Sequence, residues 1–268
     1  MKKEDLVSVI MPTYNAGKYL ADSMNSILNQ TYKNLELLIT DDASTDPTTL
    51  QLLKEYASKD ERVNILYLKE NHGAGYARNK SIERAKGRYI AFCDSDDRWT
   101  TDKLEKQIAF MNKKKCALSC ASYIIFDGET QNEIGFCTAA KKITYGMMKR
   151  DNKVGCLTAI YDVQMLGRKF FMPTIRKRQD WALFLQIIRE CKVCYAYPDK
   201  PLAYYCMRRN SISSNKMSLM KYNIAVYKEI LGFHPIKANL YFFTLFLPTY
   251  GAKILKRKFD SYTFTHRK

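Results

Sequence analysis

The sequence predicts an α/β fold: a mostly parallel sheet with helices on both faces. Three observations lead there. Four short apolar runs, at 7–11, 35–40, 63–68 and 89–92, alternate with three stretches of helical spacing. Strands separated by helices of about 10–15 residues form βαβ units. Each run ends in a polar group: Thr13-Tyr14-Asn15, Asp41-Asp42, Glu70-Asn71-His72 and Asp94-Ser95-Asp96-Asp97. Ligands of open parallel sheets bind beyond the carboxyl ends of the strands, so four polar ends, three of them acidic, mark one shared site.

The elements follow in order. Pro12 and Asn15 mark a turn after the first strand. Tyr19, Leu20, Met24, Ile27 and Leu28 fall at helical spacing, which predicts a helix over 17–30. Pro47 opens the next helix, with Thr45 or Asp46 as its N-cap, running to about residue 57. A third helix spans 73–86 and is closed by Gly87. Beyond residue 100 the pattern loosens. It predicts a helix over 102–111, a strand over 117–126, a turn over 127–132 and a return strand near 134–138. A strand over 155–161, a helix over 182–189, short strands over 193–197 and 202–206, a polar loop over 210–216 and a helix over 218–231 complete the reading.

The composition, 46% apolar and 26% charged over 268 residues, is globular. The net charge is +17, and thirteen Lys and Arg against Glu229 and Asp260 put +11 of it in residues 200–268. Such asymmetry suits a polyanion or an anionic membrane surface, or else a generally basic soluble protein. The longest uncharged run, 238–252, has 15 residues and contains Pro248, whereas a membrane span needs about 20 apolar residues. Its aromatics, flanked by Lys237, Lys253, Lys256, Arg257 and Lys258, fit an in-plane interfacial segment or a core-packing helix pair. The eight cysteines follow no secretory-signal pattern and are expected to be reduced thiols of a cytosolic protein. Cys191-Lys192-Val193-Cys194 has CxxC spacing, but its only partner pair, Cys116 and Cys120, is spaced differently, which argues against zinc.

Asp94, Asp96 and Asp97 concentrate negative charge at the end of an apolar strand. Like charges at this range repel and raise each other's pKa. A hard divalent cation, Mg²⁺ or Mn²⁺, removes that penalty; the alternative is a solvated acidic turn near a helix N-cap. The first strand-to-helix turn, from Pro12 to Lys18, lacks GxGxxG, and no GxxxxGK[ST] occurs. A diphosphate therefore cannot use the usual glycine-rich cradle.

Five motifs in order resemble the inverting glycosyltransferases of family 2, which have the GT-A fold. They are Val7-Ser8-Val9-Ile10-Met11-Pro12-Thr13-Tyr14-Asn15, the stretch from Asp41 to Asp46, the stretch from Asn71 to Asn79, the stretch from Gly87 to Asp97, and Gln179-Asp180-Trp181. The likeness covers roughly residues 6–216, and the stretch from Tyr204 to Lys216 is similar to bacterial members that build capsule, teichuronic acid, O-antigen or exopolysaccharide. It implies a nucleotide-sugar-binding half over 1–100, an acceptor-binding half with a smaller mixed sheet over 101–216, and a basic, aromatic, helical extension over 217–268.

By this resemblance Pro12, Thr13, Tyr14 and Asn15 line the nucleotide pocket. Asp42 accepts the base N–H with Asp41 close by, unless Asp41 only stabilises its turn. Arg78 and Asn79 approach the diphosphate or sugar, unless Arg78 pairs with Glu83 or another neighbour. Asp94 binds ribose or donor sugar, Asp96 ligates the metal, Asp97 assists it, and Arg208 or Arg209 closes over the diphosphate. Asp180 is the general base, kept ionised by Arg176, Lys177 and Arg178, and can also serve as an N-cap; Trp181 stacks on the acceptor sugar.

The implied reaction transfers a sugar from a nucleotide-sugar, a UDP-sugar first, to a hydroxyl of a saccharide or lipid-linked saccharide. The divalent cation is Mn²⁺ or Mg²⁺, and the enzyme would sit at the cytoplasmic face of the plasma membrane. Two rivals fare worse. A nucleotidyltransferase would carry a Gly-rich Arg/Lys loop after the first strand. A basic nucleic-acid binder has no use for Asp94, Asp96 and Asp180, so no nucleic acid partner is expected.

Overall fold

The computed structural model describes residues 4–208 and 216–266. The first ninety-odd residues alternate as expected: β1 (Val7–Thr13), α1 (Leu20–Leu28), β2 (Leu35–Asp41), α2 (Pro47–Lys59), β3 (Val63–Tyr67), α3 (Ala74–Arg84) and β4 (Tyr89–Phe92). Asp46 is the N-cap of α2. Its carboxylate accepts from the Thr49 N–H at 2.8 Å, and Pro47 fills the first helical position, where no N–H is needed. Gly87 does not close α3 as expected; that helix ends at Ala85 with extended backbone. Its lack of a side chain has another cause. A Cβ there would lie 2.6 Å from the Ser8 nitrogen and 2.7 Å from the Leu6 oxygen, so the chain entering β4 can run against β1 only as glycine.

The second half contains β5 (Arg98–Trp99), α4 (Lys103–Lys114), β6 (Leu118–Cys120), β7 (Tyr123–Asp127), β8 (Glu133–Cys137), β9 (Lys142–Thr144) and α5 (Tyr145–Arg150). Then come β10 (Ile160–Asp162), α6 (Val163–Leu166), α7 (Gln179–Cys191), β11 (Val193–Ala196) and β12 (Ala203–Met207). The strand expected over 117–126 is two strands in different sheets, broken at Ala121 and Ser122. That expected over 155–161 is a 3₁₀ turn, Cys156–Thr158, followed by β10. The pieces β5, β9, α5 and α6 have no counterpart in the sequence reading, being too short for periodicity to register.

The main sheet has eight strands in the order β3-β2-β1-β4-β10-β6-β11-β9, and the smaller one four, β5-β12-β7-β8. β1 pairs in parallel with β2 (Val7 opposite Leu35) and with β4 (Val7 opposite Tyr89), and β2 pairs in parallel with β3. The antiparallel β10 joins β4 to the second half. Successive residues of β1 serve opposite faces, as the pleat requires. Val7, Val9 and Met11 pack on α1 residues such as Leu20, Met24 and Ile27, while Ile10 joins Phe92, Phe184 and Trp181 on the other side. Lys103 is fully buried, its Nζ 2.9 Å from Gln107 Oε1 and 4.3 Å from the Trp99 ring centroid. Burial lowers its pKa to about 7.

The C-terminal extension comprises α8 (Lys216–Ala225), a π-helical turn (Val226–Ile230), α9 (Pro235–Tyr241), a second π-helical turn (Phe242–Phe246) and α10 (Leu247–His266). It has two faces. Ala238, Phe242 and Phe246 are buried in the core, with Phe246 5.4 Å from the Trp181 ring and Tyr227 5.6 Å from it. Ile236, Leu240, Phe243 and Leu247, at helical spacing, are exposed on the other face, as are Leu255, Phe259 and Tyr262 further on. The end of α10 covers the edge strand β8: the Phe136 N–H donates to Ser261 Oγ at 3.1 Å and Phe264 stacks on Phe136 at 5.6 Å. No helix among the described residues is long and apolar enough to cross a membrane.

Candidate active site

The acidic loop leaves β4 at the middle of the main sheet, and each of its carboxylates takes a different partner. Asp94 pairs with Arg78 of α3 at 2.5 Å. Asp96 pairs with Arg208, just after β12, at 2.6 Å. Asp97 turns inward, 3% exposed, and accepts from the Cys206 N–H at 2.8 Å. Burial, then the charge of Asp94, pushes the Asp96 carboxyl above its ordinary range, with Arg208 opposing. Burial, then Asp96 and Asp94, pushes Asp97 higher still. The repulsion expected from the sequence is present. Asp97 acts as a fastener between the loop and β12, so it has less freedom than Asp96 to hold an ion.

The loop after β1 and the end of β2 are latched together. Asn15, left-handed at φ 46°, accepts from the Thr45 and Asp46 N–H groups at 2.9 Å each. Asp41 accepts from the Ser44 hydroxyl at 2.5 Å, the turn-stabilising alternative foreseen for it. Asp42 accepts from the N–H groups of His72 (2.9 Å) and Gly73 (2.7 Å), binding the loop before α3 to β2. Pro12 is buried, Tyr14 offers an exposed ring, and Thr13 Oγ1 is buried with no hydrogen-bond partner among the described residues.

Asp180 lies in the first turn of α7. It is not the N-cap, which is Arg178, left-handed at φ 68° and without a side-chain cap. One carboxylate oxygen, Oδ2, accepts from Asn152 Nδ2 at 2.7 Å. The starts of α3 and α7 touch: a Cβ on Gly75 would overlap the Gln179 side chain at 2.3 Å. Arg78, one turn on from Gly75, pairs with Asp94 and lies within electrostatic reach of Asp180. Burial works to lower the Arg78 pKa, but the charge and hydrogen bond of Asp94, with the charge of Asp180 behind them, outweigh it and raise it. Arg78 is therefore a fixed cation, with its Nε buried and unpartnered among the described residues. It pairs with Asp94, not with Glu83.

Two expectations need correction. Trp181 is fully buried, its indole N–H donates to the Met148 carbonyl at 2.7 Å, and its ring packs on Tyr227 and Phe246, so no face is open to a sugar. The Asn79 amide is spent at both ends on Met172, donating to its carbonyl at 2.9 Å and accepting its N–H at 2.7 Å. Asn79 thus clasps the segment leading to α7 and does not reach for a ligand. Arg209 lies outside the described residues, as does most of the loop expected over 210–216. Asn152 was missed, because an Asp-Asn pair in a loop carries only a turn signal.

Comparison with known proteins decides the family. The profile described as Glycosyl transferase family 2 matches residues 8–171. The chain belongs to glycosyltransferase family 2. This glycosyltransferase is 43% identical over 234 residues, 87% of this chain and 92% of its relative, to TuaG of Bacillus subtilis (strain 168), a glycosyltransferase assigned provisionally to teichuronic acid biosynthesis. It is 37% identical over 216 residues, 81% of this chain and 83% of the relative, to an Escherichia coli enzyme, WfgD. That enzyme is named as a UDP-Glc:α-D-GlcNAc-diphosphoundecaprenol β-1,3-glucosyltransferase. Among solved structures, S. aureus TarS 1–349 in complex with UDP-GlcNAc superimposes with a TM-score of 0.69 at 23% identity, over 88% of this chain and 70% of TarS. The likeness establishes the GT-A-like fold of the glycosyltransferase: a large mixed sheet with helices, a second smaller sheet and a C-terminal helix.

Proposed function

We propose that this glycosyltransferase moves a sugar from a UDP-sugar to a hydroxyl of a lipid-linked saccharide during cell-surface polysaccharide synthesis, with inversion at the anomeric carbon. The observation that carries the reading is Arg78, buried, paired with Asp94 of the acidic loop and within electrostatic reach of Asp180 of α7. It joins a donor-binding loop to a candidate base across the two halves. The relatives named for polysaccharide synthesis and for a diphosphoundecaprenol-linked acceptor support the choice of substrates.

In this reading the donor lies over the carboxyl ends of β1, β2 and β4. Tyr14 offers its ring face to the base, and the loop latched by Asn15, Asp41 and Asp42 gives the pocket its shape. Thr13 Oγ1 and Arg78 Nε are buried polar atoms without partners among the described residues, and such atoms are costly unless a ligand or an ordered water satisfies them. Arg78 and Arg208 bear on the departing diphosphate. Asp180, with Oδ2 held by Asn152, keeps Oδ1 to take the acceptor proton, a contribution of about 10²–10⁴-fold. Attack from the face opposite the leaving group gives a β-linkage from an α-linked donor.

A divalent cation fits this site. Asp96 is a crowded carboxylate whose proton affinity is raised by burial and by Asp94, and a cation relieves both. No group of three His, Cys, Asp or Glu side chains among the described residues forms a ready-made cage. Mg²⁺-type sites commonly use one or two carboxylates plus substrate phosphates, for which Asp96 and Asp94 suffice. When bound, Mn²⁺ or Mg²⁺ supplies Lewis-acid stabilisation of the leaving diphosphate. We also place the enzyme on an anionic lipid surface at the cytoplasmic face. The exposed stripe Ile236, Leu240, Phe243 and Leu247 and the basic run around Lys256, Arg257 and Lys258 supply apolar and charged attraction.

The test is a panel of UDP-sugars with a prenyl-diphosphate-linked GlcNAc acceptor, with Mn²⁺ or with chelator. The reading expects UDP release and a β-linked product only with the cation. Release of pyrophosphate, or an α-linked product, overturns it. For the tail, sedimentation with phosphatidylserine vesicles should be lost on deleting residues 236–268; unchanged partition removes the membrane part.

A further inference from the structure

We propose that the C-terminal extension is part of the mounting of the base: Asn152 is a positioning residue for Asp180, and Lys253 of α10 holds Asn152 in place. The proposal rests on the reading of Asp180 as the base.

Residues 145–154 form a bracket gripped from three directions. Trp181, next to Asp180, donates its indole N–H to the Met148 carbonyl at 2.7 Å. Tyr227, in the first π-helical turn of the extension, donates its hydroxyl to the Lys149 carbonyl at 2.8 Å. Lys253 donates to the Asn152 carbonyl and pairs with Asp151 Oδ2 at 3.2 Å. At the centre, Asn152 uses both ends of its amide. Nδ2 donates to Asp180 Oδ2 at 2.7 Å, and Oδ1 accepts from the Val154 N–H at 3.3 Å. An amide engaged at both ends has only one sensible orientation, so it fixes the rotation of the carboxylate it holds.

The arrangement separates positioning from folding. Asp151 is 3% exposed and takes two cations, Lys153 at 3.1 Å and Lys253 at 3.2 Å. Removing Lys253 leaves that buried carboxylate still paired with Lys153. What is lost is the grip of α10 on the Asn152 backbone, and through it the aim of Asp180. A simple membrane anchor has no such effect. The extension would then matter for turnover even with a soluble acceptor and no lipid present.

The experiment measures kcat and KM without vesicles, using a donor and short-chain acceptor that the wild-type enzyme turns over in the panel above. Asn152→Ala and Lys253→Met should each lower kcat roughly 10- to 100-fold, the effect of slight misplacement of a reacting group. The KM for donor should stay within about twofold, because the contacts of Asn152 and Lys253 include none with Tyr14, Arg78 or Asp96. Lys253→Arg should restore most of the kcat, and melting temperatures should stay close to wild type. If Asp180→Asn is inactive while Asn152→Ala and Lys253→Met turn over normally, the positioning role is wrong. It is equally wrong if kcat and melting temperature fall together and Lys253→Arg rescues neither. An active Asp180→Asn enzyme instead removes the base assignment itself, so the two failures are distinguishable.

Discussion

Residues 4–97 and the described residues from 98 to 266 contribute to the candidate site by different means. In the first stretch each candidate side chain sits at the end of a parallel strand or on the helix that follows: Tyr14 after β1, Asp42 after β2, Arg78 on α3, Asp96 after β4. The sheet order alone brings these ends together. In the second, the groups are held by partners far off in the chain. Asn152 holds Asp180 across 28 residues and Lys253 holds Asn152 across 101, while Cys206 reaches back 109 residues to hold Asp97 of the first stretch. The first half builds its share from repeated local βαβ units. The second builds its share from long-range bonds between pieces that carry little pattern of their own. Arg78 joins the two.

The largest effect that tests this contrast is on turnover. Asp180→Asn keeps the Asn152 bond geometry available but cannot accept a proton. The rate of sugar transfer should fall by about 10²–10⁴-fold, and transfer near the wild-type rate would place the base elsewhere. Next is a stability effect confined to the second half. Trp181→Ala empties the centre of the cluster formed with Phe184, Tyr227 and Phe246. It should cost about 3–5 kcal/mol in denaturant unfolding; a cost below about 1 kcal/mol would show that the extension does not pack there.

Arg78→Met strikes the joint between the halves. It leaves Asp94 without its partner, but that carboxylate is 36% exposed, so water recovers part of the loss. About 2 kcal/mol is expected, below the range for fully buried pairs.

Another effect distinguishes the second half's interior by pH. The folded-state pKa of Lys103 is about 7, lowered by burial from 10.5, so between these values the unfolded chain holds a proton that the folded chain has released. Stability therefore rises with pH across that window. Lys103→Met should lack this part of the rise, and an unchanged slope relative to wild type would show that Lys103 is solvated. The smallest effect belongs to the first half. Asp46→Ala removes the α2 N-cap and should cost about 1 kcal/mol.

The same contrast explains what could be read from the sequence. The four parallel strands, three helices and an α2 cap at Thr45 or Asp46 were legible because apolar runs, spacing and Pro47 act locally. The split of 117–126 into β6 and β7 was not. An apolar run is equally good in either sheet, and the switch is decided by pairing with β10 and β12. Among site residues, Asp94 and Asp96 were marked by charge at the end of an apolar strand, and Asp180 by the family resemblance alone. Asn79 and Trp181 were placed in the right neighbourhood with the wrong task, since a motif fixes position but not which way a side chain turns. Asn152 and Lys253 gave no signal, because their meaning lies in bonds across 28 and 101 residues.

The division of labour itself, donor binding in the first half and proton removal in the second, is tested most directly by titrating UDP into Asp96→Ala and Asp180→Asn in the presence of Mn²⁺. The account predicts that Asp180→Asn binds UDP as wild type does, while Asp96→Ala loses affinity by about tenfold or more, the worth of one charge-assisted contact. Loss of UDP affinity in Asp180→Asn, or wild-type affinity in Asp96→Ala, would contradict it.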